Sequence, residues 1–491
     1  MSRVIGALVA TLCLGSAATA AENDSAALAQ RLEAGLRHIR DGHCDGADWT
    51  AIAQDAAFPK LSSAERAATY INLGACIGGS RQHEWRVLAS KEPDAPPLAW
   101  GLLLLEAVDR RDTQEALSDL EADRRAAAHT GEAFDVVNDD GVYFLHNRLK
   151  DDPASKRRLL AVLDESGWTP ADPAADPSYF WREYAGMLLR DHRASDAKRV
   201  SAKVTHPRQL LLMRLDNDFE PLTSADPGNF DVAYAAYATL ERDRKTATTA
   251  ANDMGAYQVI DDLRLLGRLD DALTVADATL AKAKIIDDHG QDYRNWIEDR
   301  RAYVLFDMGQ FAEAIATEEA AAKLTERGGL NVSNAINLAG MLNGVGQHAE
   351  ALAVLPPLDG PLSGYGAMWV AAERACAANA LSNAPETDKA LAFTAAHAGD
   401  NRNARVKALL CVGDVAAARQ IYLEWLQDRD DHAEALLQLC HFASGKRAPF
   451  DATISERFDK IRSDPAVLAE VAKVGHTENL PLRGLIWIDF Q

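Results

Sequence analysis

The strongest constraint on the fold is a spacing of leucine, glycine and alanine that recurs four times in the second half of the chain. In each copy a leucine stands four residues before a glycine, and an alanine stands five residues after it. The sets are Leu263, Gly267 and Ala272; Leu305, Gly309 and Ala314; Leu342, Gly346 and Ala351; and Leu409, Gly413 and Ala418. Glycine tolerates the positive φ that ends a helix, and alanine lets two helices cross closely. The spacing therefore predicts antiparallel helix pairs joined by tight turns.

The rest of the chain is also predicted to be helical. Apolar residues recur with a helical period, sustained strand alternation is absent, and alanine, the best helix former, is abundant. The interval from Gly346 to Gly413 is about two repeats long, and Ser382-Asn383-Ala384-Pro385 supplies the turn between them. We therefore expect an all-α fold, an α-solenoid of stacked antiparallel helix pairs.

The best-preserved copy resembles the tetratricopeptide repeat, a helix-pair repeat with a period of about 34 residues. It runs from Ser333 through Asn337 and Leu338 to Gly346 and Ala351, in that family's order of Asn-Leu-small residue, turn glycine and second-helix alanine. The chain departs from the pattern in its longer intervals and in the closing proline, which is mostly absent. The resemblance implies a superhelix whose concave face, lined by the first helix of each pair, binds peptides or protein helices.

Fainter copies occur nearer the N-terminus, and they bear on how the chain is divided. Residues 111–116 and 192–197 keep the small residue but lack the glycine, so degenerate repeats and ordinary helical hairpins both remain open. We predict an N-terminal helical region at 21–225, a repeat array at 226–445, and a C-terminal helical cap with an apolar tail at 446–491. The tail either docks back on the array or forms an exposed end.

The first 20 residues have the order of a secretory signal peptide. Arg3 supplies one positive charge, residues 4–14 form an uncharged apolar run, and Ala18-Thr19-Ala20 fits a signal peptidase site. The run is shorter than the ~20 apolar residues that span a membrane. We expect an exported chain without a transmembrane segment once the signal is removed, with the periplasm as the destination and secretion as the alternative.

Five cysteines follow the predicted signal, so at most two intramolecular disulfides can form. Export permits disulfides. Cys44 and Cys76 share one helical region and are a possible pair, although burial as small apolar side chains is the other interpretation.

The sequence supplies no motif for catalysis, metal binding or a cofactor. The net charge of -21, from 52 basic and 73 acidic residues, argues against nucleic acid as a partner. Ser195 and Lys198 match the S-x-x-K pattern, but its companion S-D-N and K-T-G motifs are absent. Histidine and aspartate clusters lack zinc or calcium spacing, and no glycine-rich phosphate loop occurs. We predict a non-enzyme with no cofactor and no metal.

The resemblance assigns a set of residues to the concave, protein-binding groove. They are Tyr257, Asp261 and Arg264; Trp296, Asp299, Tyr303, Phe306 and Asp307; and Asn337 and Asn343. Asn337 matches a position at which groove-binding members hold ligand backbone through an amide. The alternatives are that the polar residues only solvate a helix face, and that Trp296 and Tyr303 are buried between helices.

These features together favour a non-catalytic scaffold or adaptor of the cell envelope that holds a protein or peptide in its groove. The alternative function is an enzyme or enzyme subunit that acts on envelope polysaccharide. That alternative requires paired carboxylates with raised pKa values that converge in a cleft. The identity of the partner is not encoded in any motif.

We predict cleavage after Ala20, because the charge, the apolar run and the small residues follow the signal-peptide order. N-terminal sequencing of the exported protein should begin at Ala21. An intact Met1 on protein recovered from the cytoplasm would contradict the prediction.

Overall fold

The computed structural model describes residues 23–40, 46–77, 81–130, 139–170, 176–249, 253–287, 292–325, 331–358, 360, 362–443 and 445–483. The chain is 76% helical, with 26 α-helices and almost no strand in this part of the sequence. Successive neighbouring helices pack as pairs, so the predicted all-α solenoid is confirmed. The predicted signal at 1–20, Cys44 and most of the apolar tail lie outside the described residues.

The chain divides into two compact units, Met1–Pro177 and Ser178–Gln491. The predicted boundary between residues 225 and 226 falls inside the second unit, where the helices on either side of it pack together. No described helix combines the length and apolar composition needed to cross a membrane.

The first unit contains eight described helices and one 3₁₀ turn at Phe58–Lys60. The helices are α1 (Asn23–Arg40), α2 (Gly46–Ala53), α3 (Ser63–Ile77), α4 (Gln82–Ser90), α5 (Pro97–Arg110), α6 (Thr113–Thr130), α7 (Asp139–Arg148) and α8 (Pro153–Glu165). Trp49, Ile71 and Leu102 belong to its apolar core.

The second unit contains the repeat array and the C-terminal segment. Its helices are α9 (Ser178–Arg190), α10 (Ala194–Ser201), α11 (Pro207–Leu215), α12 (Glu220–Thr223), α13 (Val232–Thr249), α14 (Met254–Leu265), α15 (Leu269–Leu280), α16 (Arg294–Asp307), α17 (Phe311–Ala322), α18 (Val332–Gly344), α19 (His348–Val354), α20 (Gly364–Ala380), α21 (Ala384–Ala396), α22 (Arg402–Val412), α23 (Val415–Gln427), α24 (His432–Leu439), α25 (Pro449–Arg462) and α26 (Pro465–Val474). Asn217–Phe219 and Pro227–Phe230 are 3₁₀ turns, and the parallel strands β1 (His441–Phe442) and β2 (Asn479–Leu480) are two residues each.

The predicted turns have one common geometry. The four turn glycines have positive φ, and so do the non-glycine residues at the three positions without a glycine, Arg111, His192 and Ser382. At each turn, the next backbone N–H donates to the carbonyl four residues before the turn residue, as Gln310 does to Leu305 at 2.9 Å. The turn residue donates to the carbonyl three residues before it, as Gly309 does to Phe306 at 2.9 Å. Both bonds together form a Schellman motif, which satisfies the last carbonyls of the first helix.

The residue five positions after each turn is buried against the preceding helix. Ala116, Ala197, Ala272, Ala314, Ala351 and Ala418 are each 0% exposed, and Thr387 occupies the same position after Ser382. A methyl group lets the two helices of a pair approach closely. The leucine–glycine–alanine spacing therefore corresponds to a turn followed by a close crossing of the two helices of a pair.

The first helices of the pairs also contact one another. In the series α14, α16, α18, α20 and α22, each helix contacts the one before it and the one after it, whereas the second helices pack mainly on their sequence neighbours. We call the surface formed by these first helices the inner face of the array.

A disulfide joins two of these inner helices. Cys376 on α20 bonds to Cys411 on α22, with their Cα atoms 4.9 Å apart. Cys440 is a buried free thiol. Cys76 is disulfide-bonded, but Cys44 lies outside the described residues, so the predicted Cys44–Cys76 pair stays a prediction.

The C-terminal segment crosses the turns of the array as well as following its last pair. Helix α26 packs on α23, and α25 packs on α18, α22 and α23. The backbone N–H of Lys446 donates to the carbonyl of Asp307 at 3.2 Å, and that of Arg483 donates to the carbonyl of Leu265 at 2.8 Å. The segment that was predicted to cap the array therefore also contacts the C-terminal ends of α14 and α16.

We expect Ala314→Trp to destabilise the second unit by ~1–3 kcal/mol or more, because overpacking a close helix crossing forces helices apart. Ala316→Trp is the matched control, since Ala316 is exposed on the same helix. Urea unfolding followed by circular dichroism measures both. Equal stability of the two variants would contradict the crossing at Ala314.

Candidate functional site

The inner face of α14 and α16 carries a cluster built around Arg300, a residue outside the groove set predicted from the sequence. Its guanidinium lies over the ring of Tyr257, 4.2 Å from the centroid, and 5.9 Å from that of Tyr303. Arg300 Nε pairs with Asp261 at 2.9 Å, and its terminal nitrogens donate to Asp299 and to the hydroxyl of Tyr257. We call these five residues the Arg300 cluster.

The cluster joins four residues that the sequence assigned to the groove. Tyr257, Asp261, Asp299 and Tyr303 were separate candidates on two helices, and one cation brings them together. Arg300 lies four residues after Trp296 and three before Tyr303, so helical periodicity places all three on one face. That spacing is the signal that could have identified it.

Asp299 connects the cluster to the next pair. Asn337 donates from Nδ2 to Asp299 Oδ1 at 2.7 Å, and Asn334 lies 3.4 Å from the same oxygen. Asn334 also donates to Glu318 Oε1 at 2.9 Å. Asp299 and Glu318 are both 0% exposed, so they hold other side chains in place and do not face a ligand.

The protonation of Glu318 follows from this environment. Burial and the negative charge of Asp299 raise the pKa of Glu318 well above its ordinary value. Its Oε2 atom accepts no hydrogen bond within the described structure. A protonated Glu318 donates to Asp299, which removes the repulsion between two buried carboxylates.

A second ion pair lies further along the same helices, one turn after Asp261 on α14 and two turns after Arg300 on α16. Arg264 donates from Nε to Asp307 at 2.6 Å, and its guanidinium lies 4.8 Å from the ring centroid of Tyr303. Both charged side chains are about one-fifth exposed, at 21% each. The C-terminal segment contacts this place through Lys446 and the carbonyl of Asp307.

Trp296 and Tyr303 are half-buried, and Tyr303 packs against the apolar core that contains Leu305 and Leu338. Trp296 lies beside Tyr293, with ring centroids 6.5 Å apart, and Tyr293 meets Tyr257 edge to face at 5.9 Å. These aromatic rings adjoin the Arg300 cluster. Phe306 contacts Phe311 of α17 at 4.9 Å.

Asn343 lies in a different network. It is 2% exposed and donates to Glu373 Oε2 at 2.9 Å, and Lys407 pairs with Glu373 Oε1 at 2.6 Å. Lys407 also lies 3.9 Å from where a side chain at Gly340 would begin, so three inner helices meet here. In this part of the array Asn343 holds helices together.

The comparisons add no identification: no protein-family model matches the chain, and no curated protein matches it. Within the described residues, no group of three or more His, Cys, Asp or Glu side chains could hold a metal ion. The half-buried aromatic rings and charged groups of α14 and α16 can stack on and hydrogen-bond to a ligand.

We predict that Glu318→Gln stabilises the protein at neutral pH. The pKa of Glu318 is raised in the folded protein, so the unfolded chain loses this proton at lower pH than the folded protein does. The free energy of unfolding therefore falls as pH rises above 4.5, the ordinary pKa of glutamate. Glutamine can accept from Asn334 and donate to Asp299 without that loss.

The difference in the free energy of unfolding between the variant and the wild type should therefore grow by up to ~1.4 kcal/mol for each pH unit above 4.5. Glu319→Gln, on the exposed side of the same helix, is the control and should show no such divergence. A constant difference across pH 4–8 for Glu318→Gln would mean that Glu318 is not held protonated.

Proposed function

We propose that this chain is a non-catalytic protein-binding scaffold of the cell envelope, built from tetratricopeptide-like helix pairs. The Arg300 cluster and the neighbouring Tyr293 and Trp296 are the observation that supports it most. They combine aromatic rings and arginine on the inner face of the array, the residue types that dominate protein interfaces.

The hydrogen-bonding pattern of the cluster suits an extended peptide. The Tyr257 hydroxyl accepts from Arg300, so its own proton is available for a ligand carbonyl. The Asn337 amide donates to Asp299, and among the described residues its carbonyl oxygen accepts no hydrogen bond, so it can accept from a ligand N–H. Peptide backbone carries both partners.

The charges of the cluster are already balanced by neighbouring groups, which affects the choice of ligand. Asp261 and Asp299 surround Arg300, and Asp307 pairs with Arg264. A ligand with a single strong charge would compete with these internal pairs. The arrangement therefore favours peptide backbone and apolar side chains over a terminal carboxylate.

The polysaccharide-enzyme alternative requires carboxylates that reach a substrate. Buried acid pairs do exist: burial and Asp243 raise the pKa of Asp262 to about 8, and Glu318 shares a site with Asp299. Each of these four carboxylates is at most 8% exposed. A general acid must lie within hydrogen-bond distance of the scissile bond, so these pairs support a structural role. Burial also raises the pKa of Asp261 to about 7, but this carboxylate is held by Arg300 Nε at 2.9 Å.

We expect the double variant Tyr303→Ala and Asn337→Ala to weaken partner binding by about thirtyfold, because truncating interface hot spots costs ~2 kcal/mol. Mature wild-type protein is used to recover partners from periplasmic extract. The affinity of a purified partner for each variant is then measured by calorimetry.

Tyr234→Ala is the matched control, since Tyr234 is 72% exposed on α13, outside the Arg300 cluster. Circular dichroism melting checks that the double variant is folded. A folded double variant that binds as tightly as wild type would place the partner surface elsewhere on the chain.

A further inference from the structure

The first and last parts of the second unit contact each other. The carbonyl of Leu215, at the end of α11, accepts from the backbone N–H of His476 at 3.0 Å, and Asp216 forms an isolated antiparallel bridge with Gly475. A side chain at Gly475 would overlap the Leu215 carbonyl. We call the contact of residues 207–216 with α24 and residues 475–478 the junction.

Three ion pairs cross the junction. Arg208 pairs with Glu434 at 2.5 Å, and Arg214 pairs with Glu478. The third joins His432 Nε2 to Asp216 Oδ1 at 3.1 Å, with the two side chains only 7% and 8% exposed. Arginine and glutamate keep their charges through the neutral range, whereas histidine changes its charge there.

We propose that the buried Asp216–His432 pair is a proton-dependent latch that holds the junction closed. With His432 protonated, the pair is a buried ion pair and the two parts of the unit stay joined. With His432 neutral, Asp216 keeps its electrostatic interaction with Arg182 but loses the cation that is directly paired with it, and the junction opens more often. The inference does not depend on what the array binds.

The charges around the latch support this direction. Asp216 also accepts from the backbone N–H of Asp218 at 2.8 Å, and His432 donates its backbone N–H to the carbonyl of Asp428 at 2.8 Å. Arg182 interacts electrostatically with Asp216, and also with Glu183, Arg208 and Glu434. Arg429 pairs with Asp218, whereas Arg214, Glu478 and His476 interact with one another elsewhere in the junction. The acidic groups among these are paired with arginine or histidine, except Glu183, which interacts electrostatically with Arg182.

The sign of the pH dependence follows from the balance at His432. Burial lowers the pKa of His432, but the interaction of its ring with the Asp216 carboxylate and the charge of Asp218 outweigh this effect, so the pKa is raised above 6.5. A raised histidine pKa contributes stability that is complete below the unfolded value of 6.5 and is lost as pH rises through the folded value. Closure is therefore favoured at mildly acidic pH.

Opening of the junction would also affect the inner face. The segment that follows α24 reaches back to α14 and α16, where Lys446 and Arg483 donate backbone hydrogen bonds to Asp307 and Leu265. These carbonyls lie beside the Arg264–Asp307 pair. Opening and closing of the latch with pH would therefore change the contacts at the C-terminal ends of α14 and α16.

Hydrogen–deuterium exchange of the full mature chain tests the latch at pH 6.0 and pH 8.5, with rates corrected for intrinsic exchange. In the wild type, peptides covering 207–216 and 471–480 should lose protection at the higher pH, by up to about tenfold per pH unit, the limit for release of one proton. Peptides from α6, which belongs to the first unit, should not change. His432→Gln should remove the pH dependence and leave the junction peptides weakly protected at both values.

His476→Gln is the matched control, because His476 is an exposed histidine beside Glu478 in the same junction, and its response should equal that of wild type. If His432→Gln fails to fold, Asp216→Asn replaces it and should likewise lose the pH dependence. The proposal is overturned if wild-type protection is the same at both pH values, or if the folded latch variant retains the wild-type response.

Discussion

The close crossing of the two helices in each pair is the constraint on which the rest of the second unit depends. A Schellman turn with one residue in the left-handed region reverses the chain within a few residues. The small side chain five residues later then allows the second helix to lie directly on the first. This geometry brings successive first helices into contact, and the Arg300 cluster and the Asn343–Glu373–Lys407 network form across those contacts.

Three of the turns use this geometry without glycine. Arg111, His192 and Ser382 have φ of 62°, 60° and 56°, which costs a non-glycine residue roughly 1–2 kcal/mol relative to a right-handed conformation. Packing of the following small residue offsets that cost, since Ala116 and Ala197 are completely buried. The crossing therefore selects the turn conformation, and glycine only makes it less costly. This explains why the small residue is the more persistent signal in the first half of the chain.

The sequence could predict the helical fold, the turn positions and which side chains share a helix face, because these depend on local spacing. It could not predict which polar residues of the inner face are buried. Asp299 is enclosed because Arg300, Asn334 and Asn337 supply its partners, and Asn343 is enclosed because Glu373 lies on the next inner helix. Which residues on two helices become partners depends on how each helix is rotated about its axis. A periodic sequence pattern defines that rotation only to within one residue position.

The junction is formed by contacts between residues that are far apart in the sequence, and local sequence patterns do not predict such contacts. Arg208 and Glu434 are 226 residues apart, and no periodic feature of either segment indicates the other. The junction nevertheless matters for the inner face, because an array whose two parts are joined cannot spread its helix pairs freely. A ligand of the kind proposed for the Arg300 cluster would then meet side chains already held by Asp261, Asp299 and Asn337, and less entropy would be lost in ordering them. Such preorganisation favours binding by surface complementarity over binding that requires expansion of the superhelix.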